Sequence, residues 1–463
     1  PLVILIVLLA INVSVFGDDA LGGSNQFILL VGGAVAAIIG FMHRISYKEM
    51  LEKVADNLKS VTGAILILLF VGALAGTWLV SGVIPAMIYY GLQLLHPAIF
   101  LPSCILICAV ISIATGSSWT TSATVGIALI GIGKALGLPA GMIAGAVISG
   151  AYFGDKLSPL SDTTNLAPAM AGGDLFTHIR YMTFTTVPSI VITLIVFIIL
   201  GLTQSVNGDS DTTTLLQAIE GQFTIHWGLF FVPLMVIFLI VKKAPPLVAL
   251  FIGTVLGALT AFFFQKDLLL ALSGGSELNA YAAYRTLMDA ITVSTQIPTT
   301  DPILKELFSS GGMQGMLGTV WLIICAMVFG GIMDAIGALK KISEALLNWA
   351  QNTLQLFAST VASCLTINIT ASDQYLSLVI PGKMFQKAYE DRGLAPENLS
   401  RTLEDSGTVT SVLIPWNTCG AYQSGVLGVG VGEYFIYAIF NWLSPFMTLA
   451  FAAFNIKIRQ LKK

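Results

Sequence analysis

The sequence is dominated by apolar stretches long enough to cross a lipid bilayer, and this feature constrains the fold most strongly. A transmembrane helix needs about 20 mostly apolar residues. Candidate spans are Leu2–Phe16, Phe27–Met42, Val61–Val80, Met182–Leu202, His226–Val241, Pro246–Phe264, Met313–Ile336 and Glu433–Phe454. Charged residues make up only 10% of the chain, whereas a soluble domain carries roughly 25%. This excludes a soluble enzyme or a disordered chain, and the net charge of −3 leaves no basic face for nucleic acid.

Four further apolar stretches are interrupted by glycine, proline, serine and threonine, and their interruptions suggest broken membrane segments. We interpret 99–136 and 357–385 as re-entrant hairpins, and 139–170 and 399–427 as broken spans. With the N-terminus inside the cell, 17 of the 22 lysines and arginines fall on the cytoplasmic side, the usual bias of membrane proteins. The sequence therefore predicts an all-α polytopic membrane protein with about ten crossings, two hairpins and both termini cytoplasmic. Two amphipathic segments are predicted as helices lying on the membrane surface, 43–60 and 277–295.

The order of these segments recurs along the chain. Residues 61–203 and 313–455 each contain a span, a hairpin, a broken span and a span, displaced by 252 residues, which places Asp155 near Asp405. The first span of the first copy runs from the cytoplasmic side to the outside, and that of the second copy runs from the outside to the cytoplasmic side, so the copies are predicted to be inverted. Inverted repeats with discontinuous helices are typical of secondary transporters, whose site lies where the breaks meet. The predicted organisation is a first repeat at 1–203, an external linker at 204–225 and a second repeat at 226–463, with an external insertion at 265–312.

The breaks mark the candidate site, because irregular backbone in a membrane must be buried or line a water-filled cavity. They contain Asp155, Asp162, Asp373 and Asp405, whose charges are costly there unless they are paired, hydrated or functional. We expect Na⁺ at these four carboxylates, since hard cations prefer oxygen ligands. Hydroxyl and amide groups of the same breaks supply further oxygen atoms, namely Ser118, Thr121, Asn368, Thr370, Thr408 and Asn417. Alternatively, individual serines and threonines bond only to helix backbone.

Lys156 lies among these carboxylates and is interpreted as a charge-balancing group or, alternatively, as an anion-binding group. A carboxylate that holds either Na⁺ or a proton couples the two ions by competition, which predicts antiport. A channel would require a continuous pore, which broken inverted helices do not favour. The chain has neither the H-E-x-x-H nor the Walker motif, so we predict no enzyme, no ATP-driven pump and no cofactor.

The run Gly154–Gly172, GDKLSPLSDTTNLAPAMAG, resembles the signature of the NhaC-type Na⁺/H⁺ antiporter family, and 366–382 and 405–420 are similar to its second repeat. The resemblance covers essentially the whole chain. It implies the fold of the ion-transporter superfamily, a homodimer in the bacterial cytoplasmic membrane, and Na⁺ and protons as the transported ions. The implied ion-site residues are Asp155, Ser158, Asp162, Thr163 and Asn165, with Asp373 and Asp405 opposite. The same family includes exchangers of organic anions, such as malate against lactate, so exchange of a small organic anion or an amino acid stays open as the alternative function.

Overall fold

A computed structural model of the chain describes residues 1–16, 22–94, 96–203, 212–299, 305 and 308–461. Nearly all regular structure in these residues is helical. The helices of the first part are Leu2–Phe16, Ser24–Met42, Tyr47–Val80, Val83–Leu94, Pro97–Thr115, Ser118–Thr121, Ile127–Ala135, Ala140–Leu157, Asp162–Ala171 and Leu175–Thr203, with a π-helical turn at Ser122–Gly126. Residues 204–211 of the predicted linker lie outside the described part of the chain.

The second part of the chain is also mostly helical. Its α-helices are Thr212–Gln222, Phe231–Val241, Pro246–Phe264, Lys266–Ser273, Ala280–Thr292, Gly312–Gly315, Leu317–Ala335, Ala338–Trp349, Thr353–Thr370, Gln374–Asp391, Pro396–Leu403, Thr418–Leu427, Val431–Tyr434 and Ile439–Ala453. Short 3₁₀ turns lie at Trp227–Phe230 and Ser411–Leu413, and a second π-helical turn at Glu404–Thr408. A two-residue antiparallel ladder pairs Thr295–Gln296 with Ser309–Ser310 in the predicted external insertion, whose residues 300–304 and 306–307 lie outside the described part.

The described helices confirm an all-α polytopic membrane protein. Seven of them are long and apolar enough to cross a bilayer, and a pair bent by 83°, 215–222 with 227–241, makes eight if it counts as one span. Helix Leu175–Thr203 shows why lipid must surround the fold, since it exposes Val187, Val191 and Ile195 along one face. The predicted ten crossings stay a prediction.

The segment 43–60 does not form a separate surface helix, as its amphipathic pattern predicted. It is the first part of the continuous helix Tyr47–Val80, because no residue near Ser60 interrupts the backbone. Ser46 caps this helix: its hydroxyl accepts from the N–H of Glu49 (3.2 Å), whose carboxylate accepts from the N–H of Ser46 (2.8 Å). A helix of 34 residues is about 50 Å long, longer than a hydrocarbon core of about 30 Å, so its polar start extends into water. The second predicted segment, 277–295, forms the helix Ala280–Thr292, and its position on the membrane surface stays a prediction.

Left-handed backbone positions recur in the two halves of the chain. Four pairs of residues have φ between 60° and 79° and are 255 or 256 residues apart, namely Gly82 with Gly337, Gly116 with Ser372, Gly137 with Gly393, and Gly172 with Gly428. Each pair occupies the same place in the order of elements: after the long helix, at the hairpin tip, before the broken helix and after it. The displacement is therefore not the predicted 252, and Asp155 and Asp405 are not equivalent positions.

The turns around the two broken helices contact each other crosswise. Gly141, at the start of the first broken helix, lies against Glu433, which follows the end of the second; a Cβ at Gly141 would lie 2.3 Å from the Glu433 carbonyl oxygen. Gly173, which follows the end of the first broken helix, lies against Pro396 at the start of the second, where a Cβ would lie 3.3 Å from the proline Cβ. The start of each broken helix therefore lies beside the end of the other.

Candidate functional site

The four interrupted segments meet around one cavity of about 500 Å³. Its polar wall contains Thr115, Ser117 and Thr120 of the first hairpin, Asp155, Ser161, Asp162 and Thr163 of the first broken helix, Asp373, Gln374 and Tyr375 of the second hairpin, and Thr418 of the second broken helix. Both halves of the chain thus supply side chains to the same cavity, as the sequence predicted for the breaks.

Helices begin at this cavity in all four segments, because each break is followed by a residue that caps a new helix. Ser117 accepts from the N–H of Thr120 (3.1 Å), Ser161 from Thr164 (3.5 Å), Asp373 from Leu376 (2.9 Å) and Asn417 from Cys419 (3.0 Å). Each of these capping residues marks the point where a break ends and the next helix begins. The positive ends of four helix dipoles are therefore directed toward the cavity, where they favour negative charge.

Asp155 is held at the cavity wall by close packing of the first broken helix on the first hairpin. A Cβ at Gly150 would lie 2.3 Å from the Ile105 carbonyl oxygen, and a Cβ at Gly154 would lie 2.4 Å from that of Ala109. This approach brings the Asp155 carboxylate to the hairpin tip, where its Oδ2 accepts from the N–H (3.1 Å) and the hydroxyl (2.6 Å) of Ser118. The predicted residue Ser118 therefore orients a carboxylate of the cavity.

Three carboxylates share the cavity but differ in exposure. Asp155 and Asp373 are buried, whereas Asp162, in the first turn after the break, is exposed within the cavity. Lys243 is the one basic residue in this lining within the described part of the chain. Carboxylates therefore outnumber cations, and the surplus negative charge suits a mobile cation or protons.

Asp405 does not join the other three carboxylates, in contrast to the expected common Na⁺ site. Its Oδ1 forms an ion pair with Lys156, and its Oδ2 accepts hydrogen bonds from Thr185 (2.9 Å) and Thr448. Asp405 and Lys156 are both fully buried, and neither lines the cavity. Because Lys156 pairs with Asp405 and does not line the cavity, it balances the charge of Asp405 and not that of the cavity carboxylates.

Most of the other predicted oxygen ligands donate to backbone carbonyls and do not line the cavity. Ser158 donates to the carbonyl of Ile113 (2.8 Å), Thr121 to that of Ser117 (2.9 Å) and Thr370 to that of Thr366 (2.7 Å). Asn165 donates to the carbonyls of Pro159 (2.9 Å) and Ser161 (2.7 Å). Asn368 donates to Gly407 (2.7 Å), and Asn417 donates to Asn368 (3.0 Å), which ties the second hairpin to the second broken helix. Thr408 is buried and lies outside the cavity lining. Thr163 lies in the cavity wall as predicted.

Sequence reasoning missed several lining residues that stand next to the predicted ones. Ser117, Thr120, Gln374, Tyr375 and Thr418 line the cavity, while their neighbours Ser118 and Thr121 do not. The signal that identifies them is the start of a helix: the capping residue or the first turn after each break faces the cavity.

Part of the cavity lining is exposed at the protein surface. The exposed lining residues Ser60, Gly63 and Lys243 are called the mouth of the cavity. Trp119 of the first hairpin also lines the cavity and stacks on Tyr422 of the second broken helix, with ring centroids 4.1 Å apart. The Tyr422 hydroxyl also donates to the Trp119 carbonyl (3.1 Å). Among the described residues no group of three His, Cys, Asp or Glu side chains is close enough to hold one metal ion.

Known proteins are similar in sequence to this chain over most of its length. Residues 150–456 match the model of the Na⁺/H⁺ antiporter family. The chain belongs to this family. It is 38% identical over 430 residues to the Na⁺/H⁺ antiporter NhaC of Alkalihalophilus pseudofirmus, an alignment that covers 93% of the chain and 90% of the relative. The resemblance that the Gly154–Gly172 run predicted is thereby confirmed.

Other relatives of similar identity and coverage have organic compounds in their names. The malate-2H⁺/Na⁺-lactate antiporter of Bacillus subtilis is 36% identical over 435 residues, covering 94% of this chain and 88% of the relative. The arginine/ornithine antiporter ArcD of Halobacterium salinarum is 34% identical over 455 residues, covering 97% and 90%. All three relatives are named as antiporters, and membership of the family agrees with the predicted transporter.

Proposed function

We propose that this protein is a secondary active Na⁺/H⁺ antiporter. The observation that carries the proposal is the cavity in which Asp155 and Asp162 of one half face Asp373 of the other. A carboxylate is both an oxygen ligand for Na⁺ and a base for a proton. Membership of the antiporter family supports Na⁺ and protons as the two transported ions.

Competition at these carboxylates provides the coupling. A protonated carboxylate has lost the negative charge that holds Na⁺, so the cavity carries one ion or the other. A charged, unloaded carboxylate is costly once the cavity is closed and dry. The loaded forms therefore cross the closed intermediate more easily than the empty form, and exchange is favoured over leakage.

We further propose that the two halves are inverted repeats that alternate access to the cavity. The recurring left-handed positions and the crosswise contacts of the broken helices support this arrangement. In this proposal the stack of Trp119 on Tyr422 closes the side of the cavity away from the mouth. Reversal of access would separate these rings and close the mouth beside Gly63 and Lys243.

The open mouth is proposed to face the cytoplasm of a bacterial cell, because Lys243 and Ser60 line it and their chain neighbours Lys242 and Lys59 add further positive charges. Both chain termini then lie on the same cytoplasmic side of the inner membrane. The homodimer implied by the family resemblance stays a prediction.

A second candidate function is exchange of a small carboxylic acid or amino acid with Na⁺ or protons. Two observations favour it: the cavity volume lies within the range of about 300–1,000 Å³ of small-molecule sites, and four helices begin at the cavity wall. Helix N-termini bind carboxylates through their free N–H groups. The names of two relatives, which include malate, lactate, arginine and ornithine, supply the compounds to test.

Transport by the purified protein in proteoliposomes separates the two candidates. A Na⁺ gradient is imposed, and internal pH is followed with a dye, with and without malate, lactate, arginine or ornithine. Na⁺-dependent proton movement in the absence of organic compounds supports the antiporter. Proton movement that requires one of these compounds supports the second candidate and contradicts the first.

A further inference from the structure

A basic groove, distinct from the cavity, lies where helix Leu175–Thr203 begins. Its volume is about 470 Å³, and its walls include Arg180, Tyr181, Phe184, Lys457 and Arg459. The C-terminal segment folds back to form one wall, with left-handed backbone at Asn455 (φ 53°) and Lys457 (φ 49°). The groove therefore joins the start of a long transmembrane helix to the end of the chain.

Hydrogen bonds hold this groove in shape. The Tyr181 hydroxyl donates to Asn398 Oδ1 (2.7 Å) and accepts from the backbone N–H of Arg459 (3.2 Å). Asn398 in turn donates to the Arg459 carbonyl (2.7 Å), and the Arg459 guanidinium pairs with Glu397 (3.1 Å). The C-terminal segment is thus attached to the second broken helix at several points, so the backbone that carries its basic side chains is held in place.

The groove carries an excess of positive charge. Of its three cations, Arg459 is paired with Glu397, whereas no carboxylate lies within ion-pair distance of Arg180 or Lys457 among the described residues. Lys457 Nζ lies 5.0 Å from the centroid of the Phe184 ring, a cation–π contact. Asp174 accepts from the N–H and hydroxyl of Thr177, a residue of the groove wall (both 2.9 Å). Against this carboxylate and Glu397, the three cations still leave an excess of positive charge.

An apolar stripe continues from the groove along the same helix. Phe184, Val187, Val191 and Ile195 follow one another at spacings of three or four residues, and 38–52% of each side chain is exposed. In a bilayer this face contacts acyl chains. Cations beside an aromatic ring at one end of such a stripe are complementary to a phospholipid, with the cations at its headgroup and the stripe along its tails.

We propose that this groove binds the phosphate-bearing headgroup of an anionic phospholipid, whose acyl chains lie along the stripe from Phe184 to Ile195. Arg180 and Lys457 supply the unpaired positive charge, and Phe184 separates the headgroup from the tails. The continuity of groove and stripe favours a lipid over a free phosphate ion, since a free ion would use the cations alone.

The test measures binding of phosphatidylglycerol to the purified protein in neutral detergent, by thermal unfolding and by mass spectrometry of the intact complex. Phosphatidylcholine with the same acyl chains and glycerol phosphate without acyl chains are the comparison ligands. The variant Arg180→Gln/Lys457→Gln removes the unpaired charge. Its matched control is Lys383→Gln/Lys387→Gln, which removes two charges from exposed lysines outside the groove.

Phosphatidylglycerol is expected to stabilise the wild type and the control equally. Because juxtamembrane cations each contribute a modest electrostatic attraction, the groove variant should bind it about thirtyfold more weakly, and the single variant Lys457→Gln about fivefold more weakly. Phosphatidylcholine and glycerol phosphate should bind the wild type much more weakly than phosphatidylglycerol. Equal affinity of wild type and both groove variants, or an equal loss in the control, would overturn the proposal. Glycerol phosphate binding as tightly as phosphatidylglycerol would also overturn it and indicate a free-anion site.

Discussion

Replacing Lys156 by methionine should destabilise the protein strongly, and a second change at Asp405 should restore most of the loss. The two side chains form an ion pair with no exposed surface. Breaking a buried ion pair costs about 3–5 kcal/mol, because it leaves an uncompensated charge, whereas replacing both partners by neutral groups is often neutral. Lys156→Met should therefore lower the free energy of unfolding by about that amount. Lys156→Met/Asp405→Asn should recover most of it, since the asparagine oxygen can still accept from Thr185 and Thr448.

Titration with sodium dodecyl sulfate in mixed micelles measures the free energies of unfolding of the wild type, both single variants and the double variant. Such a cycle isolates the energy of the pair from that of each residue. The same preparations are tested for Na⁺-dependent proton movement, which the double variant should retain. A double variant no more stable than Lys156→Met would refute the argument. A stable Lys156→Met that loses transport of an organic acid would instead assign Lys156 to anion binding.

Three further substitutions test the cavity and its closure. Asp162→Asn should reduce Na⁺-dependent proton movement to background with normal expression and folding, because the amide can neither carry the proton nor supply the charge; wild-type exchange would rule out its role. Gly154→Ala places a Cβ 2.4 Å from a backbone carbonyl of the first hairpin, so it should cost about 1–3 kcal/mol of stability and weaken Na⁺ binding. Gly318→Ala, at an exposed helix position outside the cavity lining with no atom within 4 Å of the added Cβ, is the control that should do neither. Trp119→Ala should let protons leak into proteoliposomes without Na⁺, whereas Tyr422→Phe, which keeps the stacked rings, should leak much less. Equal rates of proton leak in the two variants would contradict closure by this pair.

Hydropathy and composition were sufficient to predict the membrane fold. Long apolar stretches such as 246–264 leave no alternative to a transmembrane helix, and glycine and polar residues locate the breaks. The pattern could not show that 43–60 continues into helix Tyr47–Val80, since amphipathic spacing is the same for a surface helix and for the exposed end of a long one. The structure distinguishes them by the uninterrupted backbone at Ser60.

The candidate site was predictable to the level of segments but not of individual side chains. Asp155, Asp162 and Asp373 line the cavity, whereas Asp405 pairs with Lys156 on another face. Sequence alone does not specify which face of a helix meets which neighbour, so a carboxylate in a break looks the same in either role. The displacement of 252 residues also aligned Asp155 with Asp405 on residue type. The backbone turns, which fix the true displacement, have weaker sequence signals, as the left-handed Ser372 illustrates.

The most direct test of the account is the rate of exchange as a function of Na⁺ concentration at several pH values, for the wild type and Asp373→Asn. If Na⁺ and protons compete for the carboxylates of one cavity, the apparent Na⁺ affinity must fall as the pH falls. Saturating Na⁺ should then restore the full rate at moderately acidic pH, because competition alters apparent affinity and not the maximal rate. Asp373→Asn should change the Na⁺ dependence of the exchange rate, since Asp373 lines the same cavity as Asp155 and Asp162. A Na⁺ affinity independent of pH, or an unchanged Na⁺ dependence in Asp373→Asn, would show that the two halves do not form one exchange site.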